Sequence, residues 1–431
     1  MSDSFIGIDL GTSGCRACLI DADKQPVSEA RIAFPEPDIN GSAVEQDANI
    51  WWRAVLEVLE ELKQNSAAKN LRAIAVDGTS STTLVTDDQY QPLAPALMYN
   101  DSRAIAEAEL VKKIAPPTVS AVFGASSSLS KLLWLVNKYP DAQKVLHQAD
   151  YIAGSLCGNF VSDFNNSLKL GFDPVNESWP EWIGSFDFPL SLLPEVTTPG
   201  TVIGNLKPEL QQKLGFDHEV KIVSGTTDSI AGFLATGARQ PGDAVVSIGS
   251  TIAIKVLNDE PVNSYQEGIY SHKINQQWLV GGASNAGTTI LRSLFNDNEL
   301  QEYSAALDFN NPTGLSYYPI PKSGERFPVY NPEQPCMLSP RPENNVVFLQ
   351  GILESLTTIE KASYQALLDK GVKPIKRLFT IGGAINNKKW MDYRENELGF
   401  QTATAISTEA CFGTALLAQQ GYNQRQSTTE Q

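Results

Sequence analysis

The chain has 431 residues, 42% of them hydrophobic, with 49 acidic against 33 basic side chains and a formal charge of -16. That length exceeds what one compact core usually holds, so two domains are expected. The acidic balance repels phosphate backbones and anionic headgroups, which excludes nucleic acid and membrane surfaces as partners, and an anionic substrate would need backbone N–H groups and a divalent cation to meet it.

In chain order, Met1 to Ile20 has no basic leader and its apolar run is interrupted by Asp9 and Arg16, so neither a signal peptide nor a membrane anchor is expected. Phe5-Ile-Gly-Ile-Asp9-Leu-Gly11-Thr12-Ser13-Gly14 and the following residues to Asp21 read as strand, glycine-rich turn and strand. Cys15 and Cys18 then lie on one strand with side chains on opposite faces, which reads as core packing in preference to a metal or redox pair. Five cysteines (Cys15, Cys18, Cys157, Cys336 and Cys411) without regular spacing point to free thiols in a reducing compartment, the cytoplasm by default. From Asp47, a plausible N-cap, Ile50, Trp51, Ala54, Val55, Val58, Leu59 and Leu62 recur on one helical face. Leu71 to Asp77 is a strand entering Gly78-Thr-Ser80-Ser81-Thr82-Thr83, and Leu84 to Thr86 turns back.

Asp173 to Pro199, dotted with Pro and Trp, is an irregular connection too apolar for a disordered linker and is expected to pack on the first domain. Ile222-Val-Ser-Gly225-Thr226-Thr227-Asp228 is a strand running into a helix start. A second hairpin, Asp243 to Val256, meets at Gly249-Ser250-Thr251 and repeats the pattern of the first, so the fold reads as an internal duplication. Arg377 to Ile381 is a strand, followed by Gly382-Gly383-Ala384 and a helix carrying Trp390 and Met391. After Tyr422 the residues are polar, and a frayed tail is expected over 423–431. Strands alternating with amphipathic helices argue for an α/β protein.

Three pieces carry candidate chemistry. Asp9 at the end of a buried strand needs a cation or donors, and the small residues after it would let a phosphate approach backbone N–H groups; an ordinary turn in which Asp9 bonds its own backbone is the alternative. No G-x-x-x-x-G-K-S/T run is present, and glycines at 7, 11 and 14 do not make G-x-G-x-x-G, which weakens a dinucleotide fold. Asp228 in a first helical turn stays ionised beside the helix dipole and could accept a proton, though capping is all such a residue need do. Gly382-Gly383 would let a ring or ribose approach the backbone, or merely make a tight turn. The histidines His147, His218 and His272 are scattered outside metal-ligand spacing and read as structural or exposed.

The order of these pieces resembles the FGGY family of carbohydrate kinases over nearly the whole chain. Further segments agree: Val44-Glu45-Gln46-Asp47 before Trp51-Trp52, Tyr99-Asn100-Asp101-Ser102-Arg103, Gly281 to Gly287, and Thr408 to Leu417. Within the family the chain looks most like plant and cyanobacterial D-ribulose kinases, through Asp77-Gly-Thr-Ser-Ser81, Ser130-Lys-Leu-Leu-Trp134 and Ser224 to Ala231. Xylulose kinases usually show Gly-Gln-Met-His where this chain has Gly78-Thr79-Ser80-Ser81, whereas Asn100 to Arg103 is closer to the xylulose kinase pattern.

The resemblance implies an α/β, two-domain duplicated fold of the actin and hexokinase (ribonuclease H-like) type, with an inter-domain cleft. The expected domains are 1–226 for sugar and 227–404 for nucleotide, with a helix over 405–422 that can pack back on the first. It also implies ATP and Mg²⁺ as cofactors, with a ketose as the other small-molecule partner and a monomer or homodimer as the assembly. Asp228 would be the catalytic base, and Asp9 would assist catalysis, touch the sugar and hold Mg²⁺ through waters together with Asp228. Thr12, Ser13, Gly249 and Ser250 would meet the phosphates, Gly382, Gly383 and Asn387 would border adenosine, and Ser80 would contact a sugar hydroxyl. The activity implied is phosphorylation of D-ribulose, with D-xylulose as the alternative substrate. From another class, a nucleotide-switched scaffold of the actin or Hsp70 kind, or a sugar-binding pseudokinase, would keep the fold without the transfer.

Overall fold

The computed structural model describes residues 2–429. They form two compact units: the first holds the chain through Ala235 with His272–Asn275 and the segment from Glu409 onward, and the second holds Thr236–Ser271 and Gln276–Thr408.

In the first unit a six-stranded sheet runs in the order Val202–Asn205, Lys221–Thr227, Leu71–Gly78, Ser4–Leu10, Gly14–Asp21, Pro26–Ala33. The three central strands are parallel, and every residue of Ser4–Leu10 is buried, as a strand covered on both faces requires. One face takes Ile6, Ile8 and Leu10 against Trp51, Val55, Val58 and Leu62 of the Ala48–Leu62 helix. Asp47 caps that helix by accepting the Asn49 N–H at 2.9 Å, so the apolar face and the cap identified in the sequence are both present.

The other face takes Phe5, Ala73, Ala75 and Val223 against Cys411, Phe412, Ala415 and Ala418 of the Ala410–Thr429 helix. Cys15 and Cys18 fall in these two opposite clusters, both buried, as the strand alternation requires. The helix lies so close to the sheet that a Cβ on Gly7 would come within 2.1 Å of the Cys411 carbonyl oxygen. It also packs on the Asp228–Ala235 helix, where a Cβ on Gly413 would sit 1.9 Å from the Ala231 carbonyl. That packing keeps the Asp228 helix with the first unit, so the division falls after Ala235 where the sequence placed it after 226. The terminal helix also continues past Tyr422 to Thr429, where the sequence analysis expects a frayed tail over 423–431; the last two of those residues lie outside the described ones.

The irregular stretch from Asp173 to Pro199 is packed, with Ile183, Phe186, Phe188, Leu192 and Leu193 joining Leu129, Leu132 and Leu133 in a separate apolar cluster of the first unit. An accessory sheet of the same unit contains Thr83–Thr86 beside Lys144–His147, so the segment after Gly78 passes directly from the central sheet into this second one.

The second unit repeats the central arrangement. Its sheet runs Gln277–Ser284, Ile252–Asn258, Asp243–Ile248, Arg377–Ile381, Thr402–Ala403. Hairpin, parallel crossover strand and a further parallel strand recur in the same order as in the first unit. Its core gathers Val246, Ile254 and Leu378 with Leu353, Leu356 and Trp390 from the helices Asn345–Asp369 and Lys388–Leu398. Among the described residues no helix is long and apolar enough to cross a membrane.

Candidate active site

In the first unit the parallel register sets the functional side chains in a row. Asp9 is paired with Asp77, Asp77 with Thr226, and Gly78 lies between Leu10 and Thr227. The three chain segments that follow Leu10, Gly78 and Thr227 therefore leave one end of the sheet side by side, and they carry Thr12 and Ser13, Ser80, and Asp228. The carboxyl ends of parallel strands are where open α/β sheets usually bind ligands.

Both Asp9 and Asp77 are buried. Burial pushes the Asp77 carboxyl well above the usual carboxylate range, and the nearby charge of Asp9 pushes it further, with Asp228 adding a smaller push in the same direction. Burial also raises the Asp9 carboxyl above its ordinary value, a rise that the neighbouring Asp77 and the charge of Arg16 oppose. The Thr414 hydroxyl donates to Asp77 Oδ2 from the terminal helix, and Asp77 Oδ1 has no hydrogen-bond partner among the described residues. Sequence reasoning quoted Asp77 in a motif without giving it a role; a second acid at the end of a second buried strand was the available sign.

Asp228 opens its helix, half-buried, with its Oδ1 accepting the Ser229 N–H at 2.6 Å. The helix starts where the sequence places it. Thr12 is half-buried and Ser13 exposed at the tip of the first hairpin, which closes through Gly11 N–H donating to Gly14 O at 3.0 Å. Ser80 is half-buried in the turn after Gly78.

In the second unit the hairpin tip places Gly249 half-buried and Ser250 exposed. The Gly249 N–H already donates to Thr251 O at 3.1 Å, so Ser250 is the donor this tip presents. Ser247 is paired with Ile381, and Gly382, at φ 94°, passes so close beneath Ile248 that a Cβ would lie 2.6 Å from its carbonyl oxygen. Only glycine fits that backbone. Beyond it, Gly383 and Asn387 line a cavity of about 470 Å³ with apolar walls from Leu291, Leu300, Leu349, Leu353 and Trp390, and polar groups from Gln301, Ser304 and Asn386. Asn387 caps the Lys388–Leu398 helix by accepting the Trp390 N–H at 3.2 Å and donates to Ser304 Oγ at 3.1 Å. A mostly apolar slot with a few placed polar groups suits a heteroaromatic base.

The histidines stay outside this chemistry. His147, fully buried, meets Asp150 Oδ2 at 3.1 Å and Ser128 Oγ at 3.0 Å, and His218 meets the Leu71 carbonyl.

Residues 4–235 match the N-terminal domain, and residues 244–421 the C-terminal domain, of the FGGY family of carbohydrate kinases. The chain belongs to that family. It is 24% identical over 446 residues to the xylulose kinase of Staphylococcus xylosus, spanning 96% of this chain and 90% of that one. It is 22% identical over 455 residues to the gluconokinase of Bacillus licheniformis, spanning 97% and 87%. The solved structure of a xyloylose kinase from Brucella ovis superposes with a TM-score of 0.91 at 22% identity, covering 98% of this chain and 91% of that chain. This FGGY kinase is thus an α/β, two-domain phosphotransferase that uses ATP to phosphorylate a sugar. Relatives named for different sugars leave the choice of sugar to the residues of the site.

Proposed function

We propose that this FGGY kinase transfers the γ-phosphoryl group of ATP to the terminal hydroxyl of a ketopentose, D-ribulose, with Asp228 as the base. The observation that carries the reading is the row of acids and hydroxyls at one end of the first sheet, where Asp228 follows the strand beside Asp77 and Ser80 leaves from the next. Phosphoryl transfer asks the protein mainly for alignment and charge neutralisation. Asp228, held at a helix start, would take the hydroxyl proton as the bond to phosphorus forms. Ser80 can both donate to and accept from a sugar hydroxyl. Thr12, Ser13 and Ser250 would donate to the phosphates, with Gly249 allowing close approach, and Gly382, Gly383 and Asn387 would border adenosine.

The donor set suits Mg²⁺. Among the described residues no group of three or more His, Cys, Asp or Glu forms a metal cage. Asp9 and Asp228 offer hard carboxylate oxygens, which fits an ion that keeps most of its waters and binds the substrate phosphates. When bound, it would neutralise charge on the β- and γ-phosphates. Asp9 would face that ion through water and touch the sugar.

The assignment to D-ribulose rests on Thr79-Ser80-Ser81, which put hydroxyls where the xylulose kinase pattern has an imidazole. D-xylulose is the second reading, favoured by Asn100-Asp101-Ser102-Arg103. In the fold that motif is engaged internally: Asp101 accepts the Val44 N–H at 2.7 Å and the Arg103 Nη2 at 2.6 Å. Arg103 lies over the Trp134 ring at 4.8 Å. A coupled ADP-release assay over D-ribulose, D-xylulose, ribitol, glycerol and gluconate tests the reading. D-ribulose should give the highest kcat/KM; a higher value for any other sugar overturns the sugar assignment, and no turnover with any of them would favour a scaffold or pseudokinase.

A further inference from the structure

Ser80 sits in the short loop between the end of the central strand at Gly78 and the start of the accessory strand at Thr83, and two fully buried polar side chains grip that loop from behind. Lys131, on the Ser128–Lys138 helix, donates from Nζ to the Ser81 carbonyl at 3.0 Å and to the Met98 carbonyl at 2.6 Å. Gln148, the first residue of the Gln148–Cys157 helix, accepts at Oε1 the Thr79 N–H at 3.0 Å and the Thr79 hydroxyl at 2.8 Å. A backbone N–H can only donate, so the Gln148 atom that meets it is the oxygen, and the amide has one orientation. Ser80 is therefore flanked by two pinned neighbours, Thr79 through Gln148 and Ser81 through Lys131.

The loop needs such a grip. Ser81 lies at φ 71°, in the left-handed region that residues with a Cβ disfavour. A buried amine is also a costly way to fill space that an apolar side chain would fill freely. Burial pushes Lys131 down to about 7, with Asp101 opposing that fall and Arg103 adding to it. The neutral amine still has two N–H groups, one for each carbonyl, so the grip survives loss of the charge.

We infer that Lys131, with Gln148 as its counterpart, is a positioning residue for sugar recognition: it sets where the loop presents Ser80, and so which ketose the kinase accepts. The inference rests on the reading of Ser80 as a sugar contact, and the experiment separates the two. Steady-state kinetics are measured for Ser80→Ala, Lys131→Met and Gln148→Met, with ATP and with D-ribulose and D-xylulose.

Lys131→Met should raise the KM of the better ketose about tenfold, the equivalent of one lost hydrogen bond. It should also narrow the kcat/KM ratio between the two ketoses while the KM for ATP stays within about twofold. A purely structural role would move the KM values of ATP and both ketoses together, and that result overturns the inference. If Ser80→Ala raises the ketose KM and neither Lys131→Met nor Gln148→Met does, the inference also fails while the Ser80 reading stands. If Ser80→Ala changes no ketose KM, the Ser80 reading fails and the inference with it. Should Lys131→Met not fold, Gln148→Met carries the same readout, a raised ketose KM at constant ATP KM supporting the inference and an unchanged ketose KM overturning it.

Discussion

The two central sheets share a strand order and a hairpin, yet the ends of their matching strands carry opposite chemistry. In the first unit the register position at the end of the hairpin strand is Asp9, facing Asp77; in the second it is Ser247, facing Ile381. The residue after each crossover partner is glycine in both, Gly78 and Gly382. The two units thus share a glycine at that strand end and differ in the side chains beside it. On the proposed reading a proton acceptor and a cation site need carboxylates, and the first unit buries two of them on neighbouring strands with the Thr414 hydroxyl donating to one. A base pocket next to phosphates gains nothing from negative charge, and the second unit has an apolar cavity instead.

The sharpest way to break this division is to remove the proposed base. Asp228→Ala should lower kcat by about a thousandfold, within the range of a lost general base. Ketose binding, measured by titration calorimetry, should stay within about fivefold of the wild type. Loss of binding together with turnover would make Asp228 a structural cap and would move the chemistry elsewhere.

Next in size is the pair of glycines. Gly382→Ala meets a carbonyl oxygen at 2.6 Å from a left-handed backbone, so the strand end must shift. We expect a loss of about 2 to 4 kcal/mol in denaturant unfolding and a raised KM for ATP. The matching Gly78→Ala has an ordinary φ, and its Cβ would stand 3.1 Å from the Ala149 nitrogen and the Gln148 amide oxygen. Its cost should be about 1 kcal/mol, with the KM for the ketose affected more than that for ATP. Equal costs at the two positions would show that the left-handed backbone at Gly382 contributes little.

Much of this comparison can be read along the chain, and the reasons are local. Asp9, Asp228 and the paired glycines sit at the ends of buried strands, where a carboxylate or a small residue stands out. The helix from Asp47 shows its cap and its buried face in one short stretch, because both depend on residues three and four apart. What stayed hidden depends on contacts remote in sequence. Thr414 reaches Asp77 across 337 residues, Lys131 reaches Ser81 across 50, and Gln148 reaches Thr79 across 69. No periodicity marks such pairs. The boundary after Ala235 was illegible for the same reason, since the Asp228 helix is claimed for the first unit by Gly413, near the other end of the chain. Asn387 lines the cavity of the second unit, while Ser304, which holds its amide, comes from a helix with no distinguishing motif.

The smallest expected effect concerns the buried lysine, a polar device of the first unit. Burial holds Lys131 at about 7, far below its value in an unfolded chain, so between roughly pH 7 and pH 10 the unfolded state binds more protons than the folded one. Stability contributed at this site therefore rises with pH through that window and is constant below it, where both states are protonated. Burial lifts Tyr318 and Cys15 out of this range in the fold while they titrate within it in the unfolded chain, so the test is the difference between the wild type and Lys131→Met, measured by denaturant unfolding at pH 6, 7, 8 and 9. Relative to the methionine variant, the wild type should gain about 1 kcal/mol per pH unit above pH 7 and only about 0.3 kcal/mol between pH 6 and pH 7. A difference independent of pH would mean that the lysine keeps its charge inside the fold, with Asp101 outweighing both burial and Arg103.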